Sequence, residues 1–238
     1  MQPNPLIIAL DFPGKADTER FLRHFSGETL FVKVGMELFY KEGVPLIHDL
    51  KAAGHHLFLD LKLHDIPTTV RRAMKQLASL EVDIVNVHAM GGTAMMVAAQ
   101  EGLDEGTPAG RGIPSCIAVT QLTSMTEKAM NEQLYIAGSL MDHVLHLCGQ
   151  VKAAGLAGVV CSAQEVPAIR EAIGSQFFTV TPGIRMAEDE VNDQHRVVTP
   201  ADAAKLGADA IVVGRGITRA ADPLAAYRAY ETEWRNRG

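Results

Sequence analysis

The chain has 238 residues, of which 47% are hydrophobic and 21% charged, and its formal net charge is −6. This composition is typical of a soluble globular protein with a large core, and the scattered Lys and Arg residues argue against nucleic acid or an anionic membrane as a partner. The chain shows no signal-peptide pattern, no C-x-x-C pair and no window approaching about 18 apolar residues, so we expect a cytoplasmic protein.

Short apolar runs rich in β-branched residues recur along the chain and predict eight strands. They are LIIALD (6–11), TLFVKVG (29–35), HLFLDLK (56–62), DIVNVHA (83–89), PSCIAVTQL (114–122), AGVVCSA (157–163), FFTVTPG (177–183) and DAIVVGRG (209–216). Segments with helical spacing lie between these runs. Two examples are TTVRRAMKQLASL (68–80) and MDHVLHLCGQVKAAG (141–155), which we expect Gly155 to end as a C-cap.

Strands that alternate with helices indicate parallel βαβ units. Eight units in 238 residues give 238/8, about 30 residues each, which is the size expected of one unit. We therefore predict an α/β fold, a closed (β/α)₈ TIM barrel that forms a single domain over residues 1–238. An open doubly wound sheet is the alternative, because the number of strands does not prove closure.

Polar residues follow most of the predicted strands. In a TIM barrel the active site is built where the strands end, at their carboxyl termini, so these residues should surround one mouth. The set consists of Asp11, Lys33, Asp60, Lys62, Asn86, His88, residues 120–123, Thr181, Pro182, Gly214 and Arg215. Solvated loop residues are the alternative interpretation of this set.

The third predicted strand ends in DLKLHDIP (60–67), where two acids and a base stand among apolar residues. Because side chains alternate along a strand, Asp60 and Lys62 should both face the barrel interior, and the leucines around them should face the helices. Opposite charges at close range favour each other's ionised forms, so Lys62 should stay protonated. A purely structural salt bridge is the alternative for this pair, and a helix N-cap is the alternative for Asp65.

Five motifs in chain order resemble the orotidine 5′-phosphate decarboxylase family. They are ALD (9–11), FVKVG (31–35), DLKLHDIP (60–67), TPGIR (181–185) and VVGRGIT (212–218), and they extend from the first predicted strand to the last. A lone D-x-K-x-x-D would indicate only the wider superfamily of phosphate-binding barrels. The resemblance implies a bacterial-type enzyme that removes CO₂ from orotidine 5′-phosphate to give UMP, the last step of de novo pyrimidine biosynthesis, without metal or cofactor.

The resemblance also implies the catalytic residues. Loss of CO₂ leaves a carbanion at C6 with little resonance help, so the site must stabilise negative charge and then supply a proton. By resemblance Lys62 is the proton donor, Asp60 lies beside the substrate carboxylate, and Lys33 completes the charged array. Repulsion of the substrate by Asp60 is one proposed contribution to catalysis.

A homodimer is implied in the same way. In the family the second aspartate of the motif reaches the site of the neighbouring subunit. That residue is Asp65 in this chain, with Ile66 and Thr69 nearby. The resemblance therefore predicts active sites at the interface between two subunits.

The phosphate of the substrate is expected near Gly214 and Arg215. Glycine lets the backbone approach a dianion closely, arginine supplies a charge-assisted hydrogen-bonding fork, and phosphate sites in TIM barrels follow strands seven and eight. A glycine turn with a solvated arginine is the alternative. By resemblance the loop at about 183–197 closes over the substrate, and Gln194 bridges its phosphate and pyrimidine. The other substrate-binding residues implied by the resemblance are Asp11, Lys33, Ile66, Thr69, Thr123, Pro182 and Arg185.

Metal binding separates the branches of this superfamily. The metal-dependent sugar-phosphate branch carries a glutamate at the position of Lys33, and a lysine there would repel Mg²⁺. The pairs His55–His56 and His143–His146 are expected to be surface residues, and no nucleotide-binding glycine motif is present. We therefore predict no metal and no cofactor. Two alternatives stay open: a Mg²⁺-dependent lyase or synthase acting on a sugar phosphate, and a non-catalytic phosphate-binding module.

Overall fold

The structure is a computed structural model that describes residues 4–187 and 198–236. Eight parallel strands close into a barrel in the order β1 to β8. The strands are β1 Leu6–Ala9, β2 Phe31–Gly35, β3 His56–Leu63, β4 Ile84–His88, β5 Ser115–Val119, β6 Gly158–Val160, β7 Phe178–Thr181 and β8 Ala210–Val213. The predicted (β/α)₈ TIM barrel is confirmed, and the open-sheet alternative is wrong.

Helices follow the strands and surround the barrel. They are α1 Lys15–Leu22, α2 Met36–Ala52, α3 Pro67–Ala78, α4 Thr93–Gly106, α5 Glu127–Gln133, α6 Leu140–Ala153, α7 Val166–Ile173, α8 Pro200–Lys205, α9 Arg215–Thr218 and α10 Pro223–Arg235. Gly155 follows α6 with a φ of 77°, and its N–H donates to the Lys152 carbonyl, so the predicted C-cap is confirmed. Of the helices that the structure describes, none is long and apolar enough to cross a bilayer.

Side-chain alternation divides each strand between two apolar cores. The outer core lies between the strands and the helices and includes Ile8, Val32, Leu59, Val85, Ala118 and Val213. The inner core fills the barrel and consists of Ile7, Ala9, Phe31, Phe58, Ile84, Ile117, Val180, Ala210 and Val212. Beyond the inner core, at the carboxyl ends of β1 to β4, the inward positions belong to polar side chains.

The pairing of β3 with β4 is irregular near the end of β3. Leu59 lies opposite Val85, but the next paired residue, Leu63, lies opposite Val87, so four steps along β3 match two steps along β4. Lys62 lies within this bulge and has a φ of 51°. A non-glycine residue in the left-handed region is uncommon and often marks a functional site.

Candidate active site

A cavity of about 620 Å³ opens at the carboxyl ends of the barrel strands. Its size is within the range of small-molecule sites. Nine of the predicted site residues line it: Asp11, Lys33, Asp60, Lys62, Thr123, Pro182, Arg185, Gly214 and Arg215. Eight of the nine were predicted because they follow strands, and Arg185 was predicted by resemblance, so residues from widely separated parts of the sequence meet at one cavity.

Acidic and basic side chains alternate along one wall of the cavity. Lys33 Nζ lies 3.2 Å from Asp11 Oδ1 and 3.3 Å from Asp60 Oδ2. On the other side of Asp60, Lys62 Nζ donates to Oδ1 at 2.6 Å. Asp60 is nearly buried, and both of its oxygens therefore carry a cationic partner. The four side chains form one continuous array, which we call the mouth array.

The fold brings the mouth array together through strand register. Gly35 at the end of β2 pairs with Asp60, so Lys33 and Asp60 project inward from adjacent strands. Lys62 follows on the same side of β3, as alternation predicted, although the bulge changes its backbone. The side chain of Asn86 on β4 supports both residues of β3. Its Oδ1 accepts from the Lys62 N–H at 2.7 Å, and its Nδ2 donates to Asp60 Oδ1 at 2.7 Å.

Electrostatics keep the mouth array charged. Burial alone would raise the pKa of Asp60, but Lys33 and Lys62, together with hydrogen bonds from Lys62 and Asn86, move it below its ordinary value of 3.8. Burial would likewise lower the pKa of Lys33, but Asp60 and Asp11 move it above its ordinary value of 10.5. The opposing charges therefore offset the desolvation cost of placing them inside the barrel.

The phosphate-binding candidates line the same cavity, next to the Asp11 end of the mouth array. Gly214 precedes α9, Arg215 is the first residue of that helix, and both line the cavity. Thr218 and Arg219, from the same turn, also line it and were not predicted. Thr218 is the last residue of the motif VVGRGIT (212–218), and Arg219 follows it directly, so the helical turn after Gly214 contained the signal for both.

The loop predicted to close over the substrate has paired ends. Ile184 and Val198 form a parallel β-bridge, the Arg185 N–H donates to the Val198 carbonyl at 3.1 Å, and the Val198 N–H donates to the Gly183 carbonyl at 3.3 Å. Arg185 is buried, and its Nη1 donates to the Ile184 carbonyl. Gln194 and the predicted closing segment around it lie outside the described residues.

Asp65, Ile66 and Thr69 do not line the cavity of their own subunit. Asp65 Oδ1 accepts from the Ile66 N–H at 2.6 Å, and Ile66, not Asp65, is the N-cap residue of α3, where no side chain caps the helix. The N-cap alternative for Asp65 is therefore wrong. Ile66 is 67% exposed.

Some polar residues at strand ends turn away from the cavity. Thr120 and Thr181 are fully buried, and their hydroxyls donate to the carbonyls of Val160 and Ala210 respectively. Alternation explains the error, because these residues have the outward parity of their strands. His88 does not line the cavity either, and its ring packs on His64 with centroids 5.6 Å apart.

Several apolar cavity residues were not predicted. Among them Val119 and Val160 form part of the wall, and Gln121, which belongs to the predicted polar set at 120–123, lies beside them. Gln121 is 4% exposed, and its Nε2 has no hydrogen-bond partner among the described residues. Gln121 faces the cavity because it is two residues after Val119, so it continues the alternation of β5 past the end of the strand.

Within the described residues, no group of three or more His, Cys, Asp or Glu side chains is arranged to hold a metal ion. The surface location predicted for the histidine pairs is wrong for His55. That residue is buried, and its Nδ1 accepts from the Leu30 N–H at 3.3 Å. Burial, followed by the nearby His56, lowers the pKa of His55. His55 is therefore a buried residue whose ring has a backbone partner.

Comparison with known proteins gives one consistent family. A profile of the "Orotidine 5'-phosphate decarboxylase / HUMPS family" matches residues 4–230. The chain is 61% identical over 229 residues to proteins named "Orotidine 5'-phosphate decarboxylase" from Bacillus cereus (strain AH820) and Bacillus anthracis, with 96% of each chain covered.

Solved structures agree with this result. An uncharacterized conserved protein from Geobacillus kaustophilus is 53% identical, with a TM-score of 0.87 and coverage of 97% of this chain and 100% of that one. Orotidine 5'-phosphate decarboxylase from Lactobacillus acidophilus is 42% identical, with a TM-score of 0.86 and coverage of 97% and 99%. The chain therefore belongs to the orotidine 5′-phosphate decarboxylase / HUMPS family.

Proposed function

We propose that this chain converts orotidine 5′-phosphate to UMP and CO₂, the last step of de novo pyrimidine biosynthesis. One barrel domain is the catalytic unit, and the reaction uses neither metal nor cofactor. The mouth array supports the proposal most strongly, because it places two ammonium groups around one carboxylate at the base of a nucleotide-sized cavity. Membership of the family supports the choice of substrate.

Lys62 is the proposed proton donor. When the bond from C6 to the carboxylate carbon breaks, its electron pair stays on C6 and CO₂ leaves. The Lys62 ammonium stabilises that carbanion and then transfers a proton to C6, after which the neutral amine regains a proton from solvent. The ion pair with Asp60 at 2.6 Å holds the ammonium in place before reaction.

Asp60 has a second proposed role toward the substrate. Its carboxylate lies next to the position of the substrate carboxylate, and the repulsion between the two is relieved as neutral CO₂ forms. Lys33 balances the charge of Asp60 from the other side at 3.3 Å, and Asp11 extends the array toward the ribose. The apolar side chains of Val119 and Val160 give the departing CO₂ an apolar surface.

The phosphate is proposed to bind at Gly214 and Arg215, which line the cavity. Arg215 supplies a charge-assisted fork, and Gly214 brings the backbone close to the dianion. Arg185 and Gln194 contribute from the loop at 183–197, while Thr123 and Pro182 contact the pyrimidine side. Binding energy from the phosphate would then support the reaction at C6, several ångströms away.

The chemistry of the donor set argues against the Mg²⁺-dependent alternative. Mg²⁺ requires oxygen ligands at about 2.0–2.1 Å in octahedral geometry. Both oxygens of Asp60 already have lysine ammonium groups within 3.3 Å, and those groups would repel a cation. A non-catalytic phosphate-binding module would not need a buried carboxylate, Asp60, that is paired with two lysines.

Loss of the ultraviolet absorbance of orotidine 5′-phosphate tests the function. Purified protein is assayed with and without excess EDTA, and a Lys62→Ala protein purified in the same way controls for enzyme from the expression host. We expect equally fast loss in both wild-type assays and almost none with the variant. An absence of loss from folded wild-type protein would contradict the proposal and direct attention to sugar phosphates with Mg²⁺.

We propose further that the enzyme is a homodimer in which Asp65, Ile66 and Thr69 reach the site of the neighbouring subunit. The exposure of Ile66 and the absence of all three residues from their own cavity support this arrangement. The buried free thiols of Cys116, Cys148 and Cys161 are compatible with a reducing compartment, and we propose a cytoplasmic location.

Mixing two inactive variants tests the shared site. In a heterodimer of Lys62→Ala and Asp65→Ala subunits, one site carries both changes and the other carries neither. Random exchange of subunits should therefore restore about a quarter of the wild-type activity. If both residues served the same subunit's site, no heterodimer would contain a native site, and mixing would restore nothing.

A further inference from the structure

We propose that Asn86 is a positioning residue that fixes the Lys62 backbone and the Asp60 carboxylate for decarboxylation. The inference rests on the proposed function. Asn86 is the third residue of β4, is 1% exposed and does not line the cavity. It would therefore act on the substrate only through the two residues that it holds.

Asn86 supplies a backbone bond that the barrel ladder lacks. Between the pairs Leu59–Val85 and Leu63–Val87, the bulge takes β3 out of register with β4. The Lys62 N–H lies in this interval and donates to Asn86 Oδ1 at 2.7 Å. Left-handed backbone is unfavourable for lysine and persists only where its surroundings hold it, so this bond helps to fix the φ of 51°.

The other end of the same amide fixes Asp60. Asn86 Nδ2 donates at 2.7 Å to Asp60 Oδ1, the oxygen that also accepts from Lys62 Nζ at 2.6 Å. The second oxygen faces Lys33 Nζ at 3.3 Å. Donors from three adjacent strands therefore determine the orientation of one carboxylate, and that carboxylate determines where the Lys62 ammonium lies.

An amide is the side chain that meets both requirements. A backbone N–H needs an acceptor and a carboxylate needs a donor, so the orientation of the Asn86 amide follows from its two partners. Aspartate at this position would face Asp60 with a second negative charge. Leucine would leave the Lys62 N–H and one lone pair of Asp60 without partners.

The test uses Asn86→Leu, which removes both bonds, and Asn86→Asp, which keeps the acceptor and replaces the donor by a charge. We expect kcat to fall about 100-fold in each, because a displacement of the reacting group by about 1 Å has an effect of that size. The Kd of UMP should stay within about threefold of the wild-type value, because UMP lacks the carboxylate that reacts. Thr18→Val, which removes a buried hydrogen bond from α1 to the Gly14 carbonyl, should leave both quantities unchanged.

Two results would overturn the inference. One is a folded Asn86→Leu protein with kcat within about threefold of wild type. The other is a parallel loss of kcat and UMP affinity, which would indicate general damage to the site. If Asn86→Leu does not fold, the isosteric Asn86→Asp decides by the same two measurements. Active wild-type protein with unimpaired Asn86 variants contradicts only this inference, whereas inactive wild-type protein contradicts the proposed function as well.

Discussion

Two charged networks lie at opposite ends of the same barrel and differ in how their hydrogen bonds are used. The mouth array lies where the strands end. The second network, formed by Arg170 and Asp209, lies where β7 and β8 begin. Asp209 Oδ2 accepts from the Arg170 guanidinium, the Thr179 N–H and the Thr179 hydroxyl. Arg170 also donates to the carbonyls of Ser175, Phe177 and Gly207.

The difference lies in what each network leaves for a ligand. At the start of β7 and β8 the chain itself supplies a dense set of partners, and the network joins α7, β7 and the turn before β8. At the mouth, the charges face a cavity, and one of them stands on left-handed backbone. The Arg170–Asp209 network joins elements of the fold, whereas the mouth array is open to a ligand. This contrast agrees with the division between the two faces of TIM barrels.

The largest expected effect is that of Lys62→Ala. Removing the ammonium removes both the stabilising charge and the proton donor, so kcat should fall by at least about 10⁴-fold. The matched control is Lys51→Ala, which breaks an ion pair of 2.9 Å with Asp83 away from the mouth. A single-turnover assay of both variants measures the contrast. Turnover by Lys62→Ala at the rate of Lys51→Ala would remove Lys62 from its assigned role.

Arg215→Ala should have the next largest effect. We expect KM to rise about 10- to 100-fold and kcat to fall about tenfold, because phosphate binding also supports the step at C6. Steady-state kinetics with orotidine 5′-phosphate measure both parameters. Arg111→Ala, which removes a surface pair with Glu81, should leave them unchanged. Unaltered kinetics in Arg215→Ala would exclude this residue from the phosphate site.

Arg170→Ala should reverse the pattern and affect stability instead of catalysis. Loss of a partly buried cation leaves Asp209 and several carbonyls short of donors, so the free energy of unfolding should fall by about 2–3 kcal/mol. The kcat of the folded protein should stay within about twofold of wild type. Urea unfolding measures the first quantity. Arg20→Ala, which breaks an exposed pair with Asp17, should cost less than about 0.5 kcal/mol.

The smallest expected effect is that of pH on kcat. Asp60 has a lowered pKa, so its charge is present above its ordinary value of 3.8, and its stabilising contribution is lost only as pH falls through the lower folded value. Lys33 has a raised pKa, so its contribution is complete below 10.5 and is lost only as pH rises through the higher folded value. Titration of these two groups should therefore leave kcat nearly constant between about pH 5 and about pH 9.

The Michaelis constant should behave differently from kcat in the same experiment. The substrate phosphate takes up a proton near about pH 6, so KM should rise below that pH. A pH–rate profile for both parameters separates these effects. A step in kcat between about pH 5 and about pH 9 would contradict this prediction, because it would show that a group other than Asp60 and Lys33 controls the reaction in that range.

Local periodicity was sufficient to predict the alternation of strands and helices, for which a closed barrel was the favoured interpretation. All eight predicted runs overlap an observed strand, with only β3 extending one residue beyond its run, and alternation alone placed Asp60 and Lys62 on one face. Local periodicity could not predict the bulge at Lys62, because a bulge depends on how β3 pairs with β4. The same dependence explains Thr120 and Thr181, whose polar character suggested the mouth although their parity directs them outward.

The candidate site was also predicted only in part. Motifs identified the charged residues, Gly214 and Arg215 that line the cavity, because their chemistry is visible in the residue types. The apolar wall of Val119 and Val160 was missed, since valine in a strand carries no functional signal until the cavity is known. The roles of Asp65, Ile66 and Thr69 stay predictions, because they concern a second subunit.

The paired ends of the loop beginning at Gly183 have a consequence for the evolution of the enzyme. Because Ile184 and Val198 are joined by a β-bridge, the barrel meets this loop at a fixed pair of anchor points. The bridge therefore offers two fixed junctions at which the segment between Ile184 and Val198 can be exchanged between homologues while the barrel stays intact.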